Sequence, residues 1–319
     1  MPTIKLTEDA NGVFVISATP FTEDGALDLE SADRLVDFYV NEGVHGITFL
    51  GVMGEAPKLS DSEQIAFMQR VMAHLDGRLP AIIGVSNPGI DNLVRLSEAS
   101  MSAGAAGVMI AGIPGLKTDE QILGYFAKVL DRLGPDVPVC LQDYPPSTTV
   151  YFSTDLINLL IDAYPQIVMF KHEDCPGHRK LTRLRRAPDT DQIRRVSILT
   201  GNGGLYVPQE MARGADGVMT GFAFPGMLAT VYELFAAGDG EAAEDLFDHY
   251  LPLIRHEQQI GAGLAIRKEV LRRRGAIACN AARQPGPALD PDDVAELDNL
   301  LRRLQIKLEQ AGIARPRGL

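Results

Sequence analysis

Several things are scarce in this chain of 319 residues, and each scarcity excludes a class of function. Its three cysteines, Cys140, Cys175 and Cys279, are odd in number and widely spaced. They fit neither a disulfide framework nor a zinc site, so a reducing, cytoplasmic location is expected. No apolar run approaches the roughly 18 residues that a membrane-crossing helix needs. The first residues carry Glu8 and Asp9 in place of the basic-then-apolar pattern of an export signal. Positive charge is in deficit, with 30 Lys and Arg against 42 Asp and Glu and a net charge of −12. Neither nucleic acid nor a membrane surface is therefore expected as a partner. The densest basic cluster, Arg179, Lys180, Arg183, Arg185 and Arg186, reads as one solvated helix face. The six histidines form no ligand cluster, so no metal and no other cofactor is expected.

What the chain does have is a recurring joint. Gly43-Val44-His45-Gly46-Ile47-Thr48 is echoed by Gly104-Ala105-Ala106-Gly107-Val108-Met109 and by Gly214-Ala215-Asp216-Gly217-Val218-Met219. Each phrase places a helix-ending glycine, a tight turn and then a short apolar run in succession. Repetition of a helix-to-strand joint is what an α/β fold produces. Eight apolar runs read as strands, at 13–17, 47–50, 81–85, 108–111, 137–141, 167–170, 196–199 and 217–220. Most are continuously apolar, as parallel strands covered on both faces must be. Amphipathic helices are predicted between them at 29–41, 61–75, 92–102, 118–133 and 153–163, the second capped by Ser60 or Asp61. The expected fold class is α/β, a (β/α)8 TIM barrel over 1–224. Beyond it, helices at 227–237, 241–274 and 292–311 form a C-terminal helical extension over 225–319. Asp290-Pro291 starts the last of these, and 284–289 is a linker.

Active sites of such barrels lie at the C-terminal ends of the strands. Lys171 directly terminates the apolar run Ile167-Val168-Met169-Phe170. Burial of such an amine disfavours its charged form, and a neutral amine can attack a carbonyl to form an iminium. A solvated strand end or an ion-pair partner is the plainer reading of that lysine. Gly51-Val52-Met53-Gly54-Glu55 follows the second strand, and its backbone N–H groups can converge on a carboxylate. It is not a dinucleotide fingerprint, because a third glycine and a ribose-binding acid are missing, and no Gly-Lys-Ser/Thr follows as in a phosphate loop. A dinucleotide-dependent oxidoreductase is thereby excluded. Gly201-Asn202-Gly203-Gly204, after the seventh strand, is a second backbone-rich turn.

These elements in this order resemble the dihydrodipicolinate synthase and N-acetylneuraminate lyase family. The likeness runs from about Gly12 to the C-terminal helices. It is carried by Ala18-Thr19-Pro20-Phe21, the Gly51–Glu55 loop, Phe170-Lys171, Thr200-Gly201-Asn202 and Gly217-Val218-Met219. The resemblance implies a class I lyase in which Lys171 forms a Schiff base with pyruvate or a longer 2-keto acid. It also implies a homo-oligomer, usually a tetramer. The substrate-binding set it implies is Thr19, Gly51, Val52, Met53, Gly54, Gly201, Asn202 and Met219, with the substrate carboxylate on the Val52 and Met53 N–H groups.

The departures from that family pattern matter as much. Its synthases carry two hydroxylated residues where this chain has Val52 and Met53, and a tyrosine where it has Gln142. The arginine that grips the aldehyde substrate falls near Ser147. Glutamine after the fifth strand is similar to the 2-keto-3-deoxy sugar acid dehydratases, as is the stretch Leu251-Pro252-Leu253-Ile254-Arg255-His256-Glu257. The expected function is a Schiff-base lyase, either a pyruvate-type aldolase or a sugar acid dehydratase. The alternatives are a degenerate member that binds a keto acid as a sensor, or a divergent dihydrodipicolinate synthase. Gln142 and Tyr144 join Lys171 as candidate catalytic residues, although glutamine has no pKa suited to moving protons. Tyr144 is equally open to a structural role. Glu173 should point to the same side as Lys171, as base or ion-pair partner, and His172 to the opposite side. Glu55 is expected to start a helix or to contact another subunit.

Overall fold

The eight apolar runs become eight parallel strands in a computed structural model that describes residues 4–190 and 193–319. They are β1 (Gly12–Ile16), β2 (Gly46–Phe49), β3 (Ala81–Gly84), β4 (Gly107–Ala111), β5 (Val139–Asp143), β6 (Ile167–His172), β7 (Ser197–Thr200) and β8 (Gly217–Val218). Each pairs with its neighbour in sequence, and β8 returns to β1 to close the barrel. Every strand residue is buried, because side chains alternate between the barrel interior and the helix layer and both are dry. The joint glycines Gly43, Gly104 and Gly214 all have positive φ, at 74°, 91° and 90°, as the left-handed turn requires.

The helices Leu29–Asn41 and Asp61–Leu75 keep the predicted bounds, and Ser60 caps the second in a reciprocal capping box with Glu63. After β8, the helix Pro225–Ala236 packs against β1 and β8, and the helix Gly240–Glu257 packs on it in turn. Asp290 caps the last helix, Pro291–Gln310, as expected.

Three expectations need correction. The long helix predicted over 241–274 is two helices, Gly240–Glu257 and Gly263–Arg273. Gly261 between them sits at φ 91°, a conformation that breaks an α-helix, and it permits a reversal that carries 258–262 over the barrel mouth. The basic cluster is not simply a solvated face of the helix His178–Thr190. Lys180 Nζ lies 2.6 Å from the buried Asp143 carboxylate and 3.1 Å from Asp174, and Arg185 pairs with Asp216. Glu55 starts no helix through its side chain, since its carboxylate is buried and takes Lys268 Nζ at 2.6 Å and Lys58 Nζ at 2.9 Å. It also accepts from the Arg283 N–H at 3.0 Å, so it ties the Gly51–Glu55 loop to the C-terminal helices of the same chain.

Among the described residues no helix is long and apolar enough to cross a membrane, and no group of three or more His, Cys, Asp or Glu could hold a metal ion.

Candidate active site

The register of β5 and β6 sets Gln142 beside Lys171, at the C-terminal ends of two adjacent strands. Chain extension beyond β6 places Glu173 on the same side: its N–H donates to the Asp143 carbonyl at 2.9 Å, and the Gly201 N–H donates to the His172 carbonyl at 3.0 Å. The Glu173 carboxylate therefore meets both neighbours. Its Oε2 lies 2.9 Å from Lys171 Nζ and accepts from the Gln142 amide at 2.7 Å. All three side chains are buried, so this ion pair is screened little by water. His172, one step out of phase, points the other way: its Nε2 lies 3.0 Å from the Gly177 carbonyl oxygen, and burial depresses its pKa to about 4. Behind the site, burial raises Asp143 to about 6 against the pull of Lys180.

A glycine makes room for the carboxylate. A Cβ on Gly201 would lie 2.3 Å from Glu173 Oε1 and 2.4 Å from its Cγ. Gly201→Ala is expected to push Glu173 off Lys171 and lower kcat by roughly 10²-fold, the cost of an ångström-scale displacement within an active site. Steady-state assays alongside a thermal melt check this, since an unchanged kcat with an unchanged melt would refute it.

A cavity of about 290 Å³ opens above this trio. Lys171, Gln142, Tyr144, Val52 and Met53 line it, as does Glu173. Tyr144 is half-buried, and its phenol is raised in pKa by burial first and then by the Glu173 charge. Val52 is 53% exposed and Met53 buried, and their N–H groups have no acceptor among the described residues. Leu50, Glu55 and Asn202, all non-glycine, sit at φ 55°, 53° and 50° around this mouth, a cluster of backbone strain of the kind that gathers at functional sites.

The other expected residues stand one layer back. Thr19 is buried and donates to the Gly54 carbonyl at 2.7 Å, bracing the loop from below. Met219 is fully buried, and its neighbours Thr220 and Gly221 line the cavity in its place. Of the Gly201–Gly204 turn it is Gly203 that reaches the wall. Gly51, Gly54, Gly201 and Asn202 shape the two turns without lining the cavity.

Sequence reasoning noted the stretch ending at Glu257 but assigned none of the far wall to the site. Glu257, Gln258 and Arg267 line the cavity from the break between the two C-terminal helices. Gly261 and Gly263 were the available signal, but the apolar periodicity on either side of them reads as one helix.

A closed parallel barrel whose strand ends gather a buried lysine, a carboxylate and a loop of free N–H groups has the architecture of a class I aldolase. Residues 9–304 match the Dihydrodipicolinate synthetase family, and the chain belongs to that family. It is a lyase of the class I aldolase type acting on a keto acid. Among its relatives, the L-2-keto-3-deoxyarabonate dehydratase of Azospirillum brasilense is 30% identical over 92% of this chain and 94% of its own. The 4-hydroxy-tetrahydrodipicolinate synthase of Sorangium cellulosum is 33% identical over 72% of this chain and 75% of its own. The crystal structure of dihydrodipicolinate synthase from Rhodopseudomonas palustris superposes with a TM-score of 0.92 at 47% identity, covering 94% of this chain and 99% of that one.

Proposed function

We propose that this enzyme dehydrates a 2-keto-3-deoxy sugar acid through an imine on Lys171. The observation that carries the reading is the Glu173 carboxylate, 2.9 Å from Lys171 Nζ and held by Gln142. The hydroxyl-bearing residues that the synthases use to move protons are replaced here by Val52, Met53 and Gln142, which leaves Glu173 as the proton carrier nearest the amine. The dehydratase relative from Azospirillum supports the same branch.

The substrate carboxylate rests on the free Val52 and Met53 N–H groups, which sets C2 before Lys171. Lys171 passes a proton to Glu173 and its amine attacks C2. Glu173 returns that proton to the carbinolamine hydroxyl, and loss of water gives an iminium, which draws electrons from the C3–H bond. Glu173 takes the C3 proton, giving an enamine, and then delivers that proton to the C4 oxygen as the C4–O bond breaks. Water leaves and a conjugated iminium remains, whose hydrolysis by water frees the product and restores Lys171. Because the proton lost at C3 is the one gained by the departing hydroxyl, one carboxylate suffices for both transfers. We also place the enzyme in the cytoplasm as a homotetramer, following the scarcity of cysteine and the family resemblance.

The test is intact-protein mass after incubation with pyruvate and borohydride, beside Lys171→Ala. A wild-type gain of one reduced pyruvate, absent from the variant, is expected. No gain in the wild type with pyruvate or with a 2-keto-3-deoxypentonate would overturn the imine.

A further inference from the structure

One wall of the cavity carries a polar group that nothing among the described residues satisfies. Glu257 ends the helix Gly240–Glu257, and its carboxylate is entirely buried. Its Oε2 accepts from the Ala223 N–H and from Arg267 Nε, each at 3.3 Å. Its Oε1 has no hydrogen-bond partner among the described residues. A buried carboxylate oxygen without a donor is costly, and a hydroxyl of a ligand in the cavity would supply one. Beside it, Gln258 Oε1 accepts from Arg267 Nη2 at 2.7 Å, while its amide nitrogen has no acceptor among the described residues. The Gly201–Gly204 turn leaves room for this side chain, since a Cβ on Gly203 would lie 1.9 Å from Gln258 Oε1. The same cavity is lined by Lys171, so a molecule held on Lys171 extends toward this wall.

We propose that Glu257, Gln258 and Arg267 form the subsite that holds the hydroxylated tail of the substrate and select it over an unsubstituted or carboxylated tail. This rests on the imine reading above. The chemistry of the wall decides the kind of tail. A hydroxyl donates to Glu257 Oε1 and can accept from the Gln258 amide, whereas an aldehyde or carboxylate only accepts and leaves Glu257 unmatched. A second carboxylate finds no surplus positive charge either, because Arg267 is already paired with Glu257.

The test compares half-saturating concentrations for borohydride trapping by three acids: pyruvate, 2-oxopentanoate and a 2-keto-3-deoxypentonate of the same length. The wild type is expected to favour the hydroxylated five-carbon acid over 2-oxopentanoate by about tenfold or more, the discrimination available to a site built to hydrogen-bond a hydroxyl. In Glu257→Leu, which offers the hydroxyl no acceptor, that preference should collapse to within about threefold. Gln258→Leu, at a partly exposed position, should shift it the same way. Pyruvate, lacking a tail, should move less than about twofold in either variant, since it makes none of these contacts. A preference that survives in both variants, or is absent from the wild type, overturns the subsite. So does a loss that affects pyruvate and the five-carbon acids equally. A wild type that traps none of the three acids overturns the imine instead.

Discussion

Glu173→Gln is expected to keep forming the imine while losing turnover by about 10²–10⁴-fold, the range for removal of a general acid–base. Glutamine keeps an oxygen that can accept from Lys171 and Gln142, so the local hydrogen bonds at 2.9 Å and 2.7 Å can be preserved. What it loses is the ability to take a proton, from C3 and from Lys171; water can carry the Lys171 proton instead, so imine formation slows but still occurs. Two readouts separate that from structural damage. Borohydride should still add one reduced pyruvate to the variant. In deuterated water, however, the pyruvate methyl protons should exchange readily with wild type and far more slowly with Glu173→Gln, because exchange requires the enamine. Exchange at the wild-type rate would show that another group removes the C3 proton, with Tyr144 the next candidate on the cavity wall.

The second large effect is on stability. Glu55→Ala is expected to destabilise the protein by about 3–5 kcal/mol, the usual cost of removing one partner from a buried ion pair. Lys268 is left fully buried, with only the Ala281 carbonyl at 2.7 Å and the face of the Phe21 ring, 4.5 Å away, to replace the lost carboxylate. The Arg283 N–H loses its acceptor in the same step, and Lys58 keeps its bond to the Arg283 carbonyl at 3.0 Å. A fall in Tm on the order of 10 °C follows. The double variant Glu55→Leu with Lys268→Met should recover much of that loss, because it leaves no uncompensated charge in the interior. Thermal melts of the three proteins check this. A single variant as stable as wild type would mean that water reaches Lys268 and that the pair holds nothing together.

Much of the architecture was legible in the chain itself. A parallel barrel buries both faces of every strand, so each strand had to appear as an apolar run bounded by glycine and turn residues, and all eight did. Helix ends were equally local: Ser60 with Glu63, and Asp290 with Asp292 and Asp293, cap their helices through contacts three residues or fewer apart. Lys171 stood out because a charged residue at the end of such a run is costly unless something receives it. Period-two alternation then placed Glu173 on its side and His172 on the other.

The tertiary structure decided what local pattern cannot encode. Gln142 and Glu173 are 31 residues apart, and only the β5–β6 register brings the amide onto the carboxylate. Glu55 and Lys268 are 213 residues apart, and neither sequence environment announces a buried pair. The far wall depended on a reversal at Gly261, whose weak helix propensity was outweighed in the sequence by the apolar rhythm on both sides. Periodicity reports which face of an element is buried. It does not report where an element breaks or which distant side chain waits at the break, and it is the break at 258–262 that gives the cavity its polar end.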